Sequence, residues 1–159
     1  MGDDKDIKYM RMAIEEAKKA AGTGEVPVGA VIVCGDEVVA RARNEREERA
    51  TAIAHAEILA IEEASKRLGR WRLSDCTIYV TKEPCPMCAG AIFQARMARL
   101  VFGPSDQKGG AAGTLFNIVQ DKRLNWQVEV ERGVLQEENV KLLQDFFRTR
   151  RQKSGQEKD

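Results

Sequence analysis

Apolar residues recur at helical spacing through "IKYMRMAIEEAKKAA" (7–21), which predicts a helix that "GTGEVP" brings to a stop. "VGAVIVC" (28–34) is a continuous apolar run too short for a helix, "GDE" turns the chain, and "VVARARN" (38–44) alternates, so a β-hairpin is predicted. Helical periodicity returns in "IAHAEILAIEEASKRL" (53–68) until "GRWRLSD" breaks it. "CTIYVT" (76–81) then reads as a buried strand, "PMCAGAIFQARM" (86–97) as a second core helix and "RLVFG" (99–103) as another short strand. "WQVEVERGV" (126–134) can supply a last strand, and "EENVKLLQDFFRTRR" (137–151) a closing amphipathic helix. Strands alternating with helices predict a layered α/β fold. The glycine-rich "GPSDQKGGAAG" (103–113) lacks the G-K-[ST] ending of a phosphate-binding P-loop and reads as a connecting loop.

No repeat or low-complexity linker interrupts the pattern, and 159 residues fit one domain spanning 1–159. A chain of this size can bury about 70% of the surface its unfolded form exposes, so no staple is required. From about residue 153 the sequence turns polar and predicts a disordered tail. The acidic start "MGDDKDIKYM" lacks the basic and apolar regions of a secretory signal, and no apolar run approaches the ~20 residues of a membrane span. A cytoplasmic protein with no membrane partner is expected. In a reducing compartment, closely spaced cysteines read as metal ligands or reactive thiols rather than disulfides.

A net charge of +1 supplies no global field toward nucleic acid, and no DNA partner is expected. Cations do gather in "FFRTRRQK", where Arg148, Arg150, Arg151 and Lys153 follow Phe146 and Phe147, with Lys122 and Arg123 on an earlier loop. The alternative for this run is a solvated helix end, where cations suit the dipole.

The chemistry concentrates in "KEPCPMCAG" (82–90). Cys85 and Cys88 stand three apart and share one side of a helix. Pro84 and Pro86 push the residues before them into extended conformations, and proline is well tolerated at a first helical position. Cys85 is therefore expected to cap the helix that contains Cys88, where unpaired amides and the helix dipole favour thiolate. His55, the only histidine in the chain, is the candidate third ligand, with Glu57 two residues on. Side chains of a first helical turn tilt toward the N-terminus, so His55 can reach a metal in front of its helix while Glu57 addresses a bound molecule.

Structural zinc sites use four protein ligands, whereas catalytic ones use three and leave a position open. Cys34, at a strand end, and Cys76, at a strand start, are the possible fourth ligands, but neither has a neighbouring partner, and each is expected to pack as a small hydrophobe. Three ligands with an open position is the stronger count. Zn²⁺ with two thiolates and a neutral imidazole is net zero, which acidifies water less than an all-histidine cage does, so a base beside it is expected. Glu57 is placed to take a proton from the attacking water and return it to a ring nitrogen and then to a leaving amine. Such a site suits hydrolytic deamination of an amidine-like carbon.

The H-x-E and P-C-x-x-C pairing, here "HAE" with "EPCPMC", is the signature of zinc-dependent nucleobase deaminases. Together with "GEVPVGAVIV", "HAEILAI", "CTIYVTKEPCPMCAGAI", "LVFG", "KGGAAGTLFN" and "FFRTRRQ", it makes nearly the whole chain resemble the bacterial tRNA-specific adenosine deaminases. That resemblance implies a cytidine deaminase-like three-layer α/β/α sandwich around a mixed five-stranded sheet. It implies one Zn²⁺ per subunit on His55, Cys85 and Cys88, with Glu57 as proton shuttle. It further implies a homodimer that edits adenosine to inosine at the wobble position of a tRNA anticodon. Glu25, Val28, Asn44 and the Ala56 main chain would line the base pocket, with Pro84 near the metal. Phe147, Arg148, Arg150 and Arg151 would meet the anticodon loop, the aromatic stacking on an unpaired base and the cations facing phosphates. Asp106 is a further candidate RNA contact, and "CAGAIFQARM" (88–97) with the loop beside it is the candidate dimer surface.

Three departures from the family pattern bear on the substrate. Ala52, Ile53 and Ala54 precede the histidine in place of Pro-Thr-Ala, "EPCPMC" replaces the commoner "EPCVMC", and Asn125, Trp126 and Gln127 replace Asn-His-Arg. The proline form is also familiar in guanine deaminases. A deaminase of free guanine, cytosine or dCMP is therefore the second reading, and a non-catalytic zinc protein with a closed four-ligand site the third.

Overall fold

The computed structural model describes residues 3–157. Ten elements follow in the order α1 (Asp4–Gly22), β1 (Gly29–Cys34), β2 (Glu37–Arg43), α2 (Arg46–Arg49), α3 (Ala56–Leu68), β3 (Cys76–Val80), α4 (Pro86–Gln94), β4 (Arg99–Phe102), β5 (Glu129–Arg132) and α5 (Gln136–Glu157). The strands form one sheet in the order β2-β1-β3-β4-β5. β1 pairs antiparallel with β2 and β3, and β4 runs parallel to both β3 and β5, which makes the sheet mixed.

Strand alternation splits the core in two. Ala30 and Ile32 of β1, Ile78 and Val80 of β3, and Leu100 and Phe102 of β4 face a layer with Ala56, Ala60 and Ala64 of α3 and Ala89 and Ile92 of α4. The intervening Val31, Val33, Tyr79 and Val101 face Tyr9, Met10, Ala13 and Ile14 of α1. Both faces of the inner strands are covered, which is why they read as continuous apolar runs rather than alternating ones. The result is the α/β/α sandwich around a mixed five-stranded sheet. Gly29 lets α1 lie directly on β1, because a Cβ there would collide with the backbone of Ala13 and Ala17. Gly69 ends α3 in the left-handed conformation at φ 69°.

Two expectations change. Cys34 and Cys76 are joined as a disulfide rather than packed as separate thiols. They face each other at the end of the β1–β3 pairing, with Cα atoms 4.4 Å apart. The amide of Cys76 bonds Leu73 and its carbonyl accepts from Ala98, so the two cysteines form a non-hydrogen-bonded pair, the closer kind in an antiparallel ladder. Their register, 42 residues apart in the chain, was invisible to a reading of local spacing. The second change is α5, which runs to Glu157, so residues 153–157 continue a helix where a tail was expected. Lys153, Gln156 and Glu157 favour a helix and Ser154 and Gly155 do not, so the extension follows from propagation of the long helix already formed upstream. Residues 158 and 159 of that expected tail lie outside the described residues.

No helix among the described residues is long and apolar enough to cross a membrane.

Candidate active site

Two helix N-termini on the same side of the sheet build the site. His55 is the N-cap of α3 and Cys85 the N-cap of α4, both extended, at φ −80°, ψ 151° and φ −72°, ψ 173°. Neither side chain caps its own helix, which leaves the imidazole and the sulfur free to point forward. Pro86 occupies the start of α4, where its missing N–H is harmless and its fixed φ suits the turn. One turn on, Cys88 is fully buried.

His55 Nδ1 lies 3.7 Å from Cys85 Sγ and 3.4 Å from Cys88 Sγ. Zinc–sulfur bonds of about 2.3 Å and zinc–nitrogen bonds of about 2.0 Å in a tetrahedron place such donors roughly 3.5 to 3.8 Å apart, so the spacing fits a borderline-soft divalent ion. The other His/Cys/acid cluster among the described residues is Cys34, Asp75 and Cys76, a separate group whose sulfurs are already bonded to each other. Neither Cys34 nor Cys76 can complete a closed site with Cys85.

The cysteines divide one proton unequally. A hydrogen bond from Cys88, reinforced by His55, lowers the Cys85 thiol to about 4 against the cost of its burial. Its bond to Cys85, then burial and the neighbouring Glu57, push the Cys88 thiol upward. The hydrogen bond with Cys85 raises His55 above its ordinary value. Burial raises Glu57, only 3% exposed, and thereby makes it a stronger base than a surface carboxylate.

These groups open into a cavity of about 200 Å³ lined by Val28, Asn44, His55, Ala56, Glu57 and Cys85 on the inside and by Asp106 and Phe147 at its rim. Asn44 is buried and fixed at both ends: its amide nitrogen donates to Val26 O at 3.3 Å, and its oxygen accepts from Arg46 N at 3.3 Å. Asp106 pairs with Lys82 at 3.0 Å. Burial opposes its charge, yet hydrogen bonds from the Lys108 amide and from Lys82 hold its carboxyl below the ordinary value.

The remaining candidates stand elsewhere. Glu25, 2% exposed, does not line the cavity: its carboxylate accepts from the amides of Glu47 and Glu48 at 3.0 and 2.8 Å and so caps α2 from outside. Pro84 is buried and does not line the cavity, its carbonyl accepting from Ala111 N at 2.9 Å. Arg148 pairs with Asp145, and Arg150 lies over the Phe146 ring. Arg151 lines a second, larger groove of about 560 Å³ between α5 and residues 104–108, which shares Lys82, Asp106 and Phe147 with the cavity.

Sequence reading missed Val26, Arg46, Lys82 and Glu83, which also line the cavity. Lys82 and Glu83 adjoin Cys85 and could have been weighed for that reason. Arg46 belongs to α2, four residues long and too short to show a period.

Residues 4–151 match the family model described as MafB19-like deaminase. A tRNA-specific adenosine deaminase of Bacillus subtilis is 55% identical over 148 residues, covering 93% of this chain and 92% of that protein. A solved structure from work on A-to-I editing by tRNA:A34 deaminases at the wobble position superposes with a TM-score of 0.82 at 39% identity, over 86% of this chain and 99% of its own. A guanine deaminase structure from Bacillus subtilis superposes less closely, with a TM-score of 0.62 at 34% identity over 72% of this chain and 71% of its own. With His55, Glu57 and Cys85 lining the cavity and the buried Cys88 beside His55 and Cys85, the chain belongs to the MafB19-like deaminase family and groups there with the tRNA-specific adenosine deaminases.

Proposed function

We propose that the protein converts adenosine to inosine at the wobble position of a tRNA anticodon by zinc-dependent hydrolysis. The observation that carries the reading is the convergence of one imidazole nitrogen and two sulfurs beside a buried carboxyl, at a cavity lined by His55, Glu57 and Cys85. His55, Cys85 and Cys88 would hold one Zn²⁺, which when bound supplies Lewis-acid polarisation of the water nucleophile.

The chain's own groups do the rest. Glu57 takes a proton from the attacking water, passes it to the adjacent ring nitrogen, and delivers a proton to the amine that leaves as ammonia. Water and adenosine are thereby consumed, and inosine and ammonia formed. Asn44, held rigid by Val26 and Arg46, orients the base, and Val28 and the Ala56 main chain shape the walls. Glu25 supports this wall at one remove, by fixing α2 and with it Arg46. Phe147, 40% exposed at the rim, offers a stacking face for an unpaired base, and the groove beside it brings Arg151 within reach of flanking phosphates.

A homodimer and a cytoplasmic location accompany this reading. On α4, the candidate dimer face, Pro86 and Gln94 are exposed and Met87, Gly90 and Ala91 half-buried, a low surface that a second helix could approach.

Incubating the zinc-loaded protein with an anticodon stem-loop bearing adenosine at the wobble position, and separately with guanine, cytosine and dCMP, tests the substrate. Inosine in the RNA alone is the expected result. Ammonia from a free base would transfer the assignment to the second reading, which the likeness to guanine deaminase keeps in view, and no turnover anywhere would leave a structural zinc protein.

A further inference from the structure

Glu83 is 3% exposed, and the proposed reaction does not use it. Its two carboxyl oxygens accept four hydrogen bonds, all from one loop. Oε1 takes the amide of Asp106 at 3.0 Å and the hydroxyl of Thr114, and Oε2 takes the amides of Ala112 and Thr114 at 3.0 and 3.2 Å. The loop is wrapped tightly around it. A Cβ on Gly110 would stand 2.5 Å from the Glu83 carboxyl carbon, so glycine is needed there for space, although its φ is ordinary.

The flanking residues join the same loop. The Glu83 amide donates to Pro104 O at 3.0 Å, Ala111 N donates to Pro84 O at 2.9 Å, and Lys82 pairs with Asp106 at 3.0 Å. Residues 82–84, immediately before the ligand Cys85, thus all fasten the loop: Lys82 and Glu83 both hold Asp106, by its carboxylate and its amide respectively, and Pro84 holds Ala111. The loop's register against the metal site is set over three residues, and Glu83 makes the largest share of the bonds.

We propose that Glu83 is a positioning residue: it holds Asp106 at the rim of the cavity, so that the loop presents a preformed wall to the nucleotide instead of being ordered by it. This rests on the reading of the cavity as the site of an RNA deaminase. The physical reason is preorganisation. A loop of 13 residues from Pro104 to Phe116 that carries three glycines would otherwise lose its freedom on binding, at the expense of affinity.

Glu83→Gln separates this from a merely structural role. A glutamine oxygen can keep the amides of Ala112 and Thr114, but its NH₂ group then faces the Asp106 amide, donor against donor. The Asp106 segment should be freed while the rest of the loop stays tied. Hydrogen exchange at the Asp106 amide is expected to quicken at least about tenfold, with α3 and α4 unaffected. For the anticodon stem-loop, KM is expected to rise about tenfold with kcat within a few-fold and zinc content unchanged. Gly110→Ala, which crowds both oxygens of the same carboxyl, should quicken exchange at Asp106, Ala112 and Thr114 together and raise KM in the same direction.

A fall in kcat at constant KM, or exchange quickened throughout the protein, would overturn the proposal, as would unchanged exchange at Asp106 in both variants. Should the unaltered protein leave every stem-loop untouched, the reading of the reaction fails instead, and the exchange measurement still decides whether Glu83 holds Asp106.

Discussion

Asp6, in the first turn of α1, and Arg99, at the start of β4, face each other as a two-pronged ion pair with both hydrogen bonds at 2.7 Å, although 93 residues separate them. Tyr79 of β3 donates a third bond to Asp6 at 2.9 Å. The cluster ties the outer helix to two inner strands. The Asp6 side chain is 3% exposed and that of Arg99 23%, so removing one partner strands the other in a poorly solvated place.

The Arg99 hydrogen bonds hold the Asp6 carboxyl below its ordinary value of 3.8, against the cost of burial. A carboxyl lowered on folding stabilises the protein above the unfolded value, and that contribution is lost as pH falls through the folded one. Asp6→Asn is expected to destabilise by about 3 kcal/mol at pH 7, and by progressively less as the pH is taken from 4 downward. Urea unfolding midpoints across that range, compared with the unaltered protein, measure the difference. Parallel acid profiles for the two proteins would remove Asp6 as the acid-sensitive contact.

Glu57→Gln keeps the shape of the cavity floor and removes the base. Turnover should fall by at least about 10², the usual contribution of a positioned proton-transfer group. Metal content should hold at one ion per chain, since Glu57 is not among the three ligand atoms that converge. Single-turnover kinetics alongside elemental analysis distinguish the two effects, and near-normal rates would eliminate the proton shuttle.

How far the sequence foretold this site depends on what each residue touches. The convergence of His55, Cys85 and Cys88 was legible because a set of candidate metal ligands restricts both residue type and spacing, and helix N-caps leave local marks in proline and polar residues. The inner strands were legible because both of their faces are buried, and the resulting apolar runs are conspicuous. Glu25 and Glu83 were not, because their partners are backbone amides of Glu47, Glu48, Asp106, Ala112 and Thr114, and an amide belongs to every residue but proline. A carboxyl that organises a loop leaves no pattern in the side chains it organises. The Cys34–Cys76 pairing was hidden for another reason: it depends on the register between β1 and β3, which is set by the whole sheet.

The shared proton of the cysteine pair makes metal affinity depend on pH. Cys85, lowered to about 4, has already lost its proton at neutral pH, whereas Cys88 retains its own and must release it before both sulfurs can ligate. His55, raised above its ordinary value by the hydrogen bond with Cys85, must also be neutral before its nitrogen can ligate. Zinc affinity should therefore fall at least about tenfold for each unit from pH 8 to pH 6. Competition against a chromophoric chelator measures it. A pH-independent affinity would mean that the sulfurs do not bind as a thiolate pair, and Cys88→Ser should lower both the affinity and this slope.

The cations of α5 differ in what already occupies them, and RNA binding should reflect that. Arg148 pairs with Asp145 at 2.8 Å one turn back, so its charge is locally neutralised, and Arg150 lies against Phe146. Arg151 lines the groove that continues from the cavity through Asp106 and Phe147. Each phosphate contact on single-stranded nucleic acid contributes about 0.7 to the slope of log affinity against log salt. Clearing Arg148, Arg150 and Arg151 together should flatten that slope by up to about 2 and weaken stem-loop binding throughout the salt range. Arg151→Ala alone should reproduce most of one contact, and Arg148→Ala much less. Titrations at several salt concentrations resolve the three. If the triple variant keeps the slope of the unaltered protein, these arginines form a solvated helix end and the phosphates are met elsewhere, with Arg46 and Lys82 at the cavity the next residues to clear.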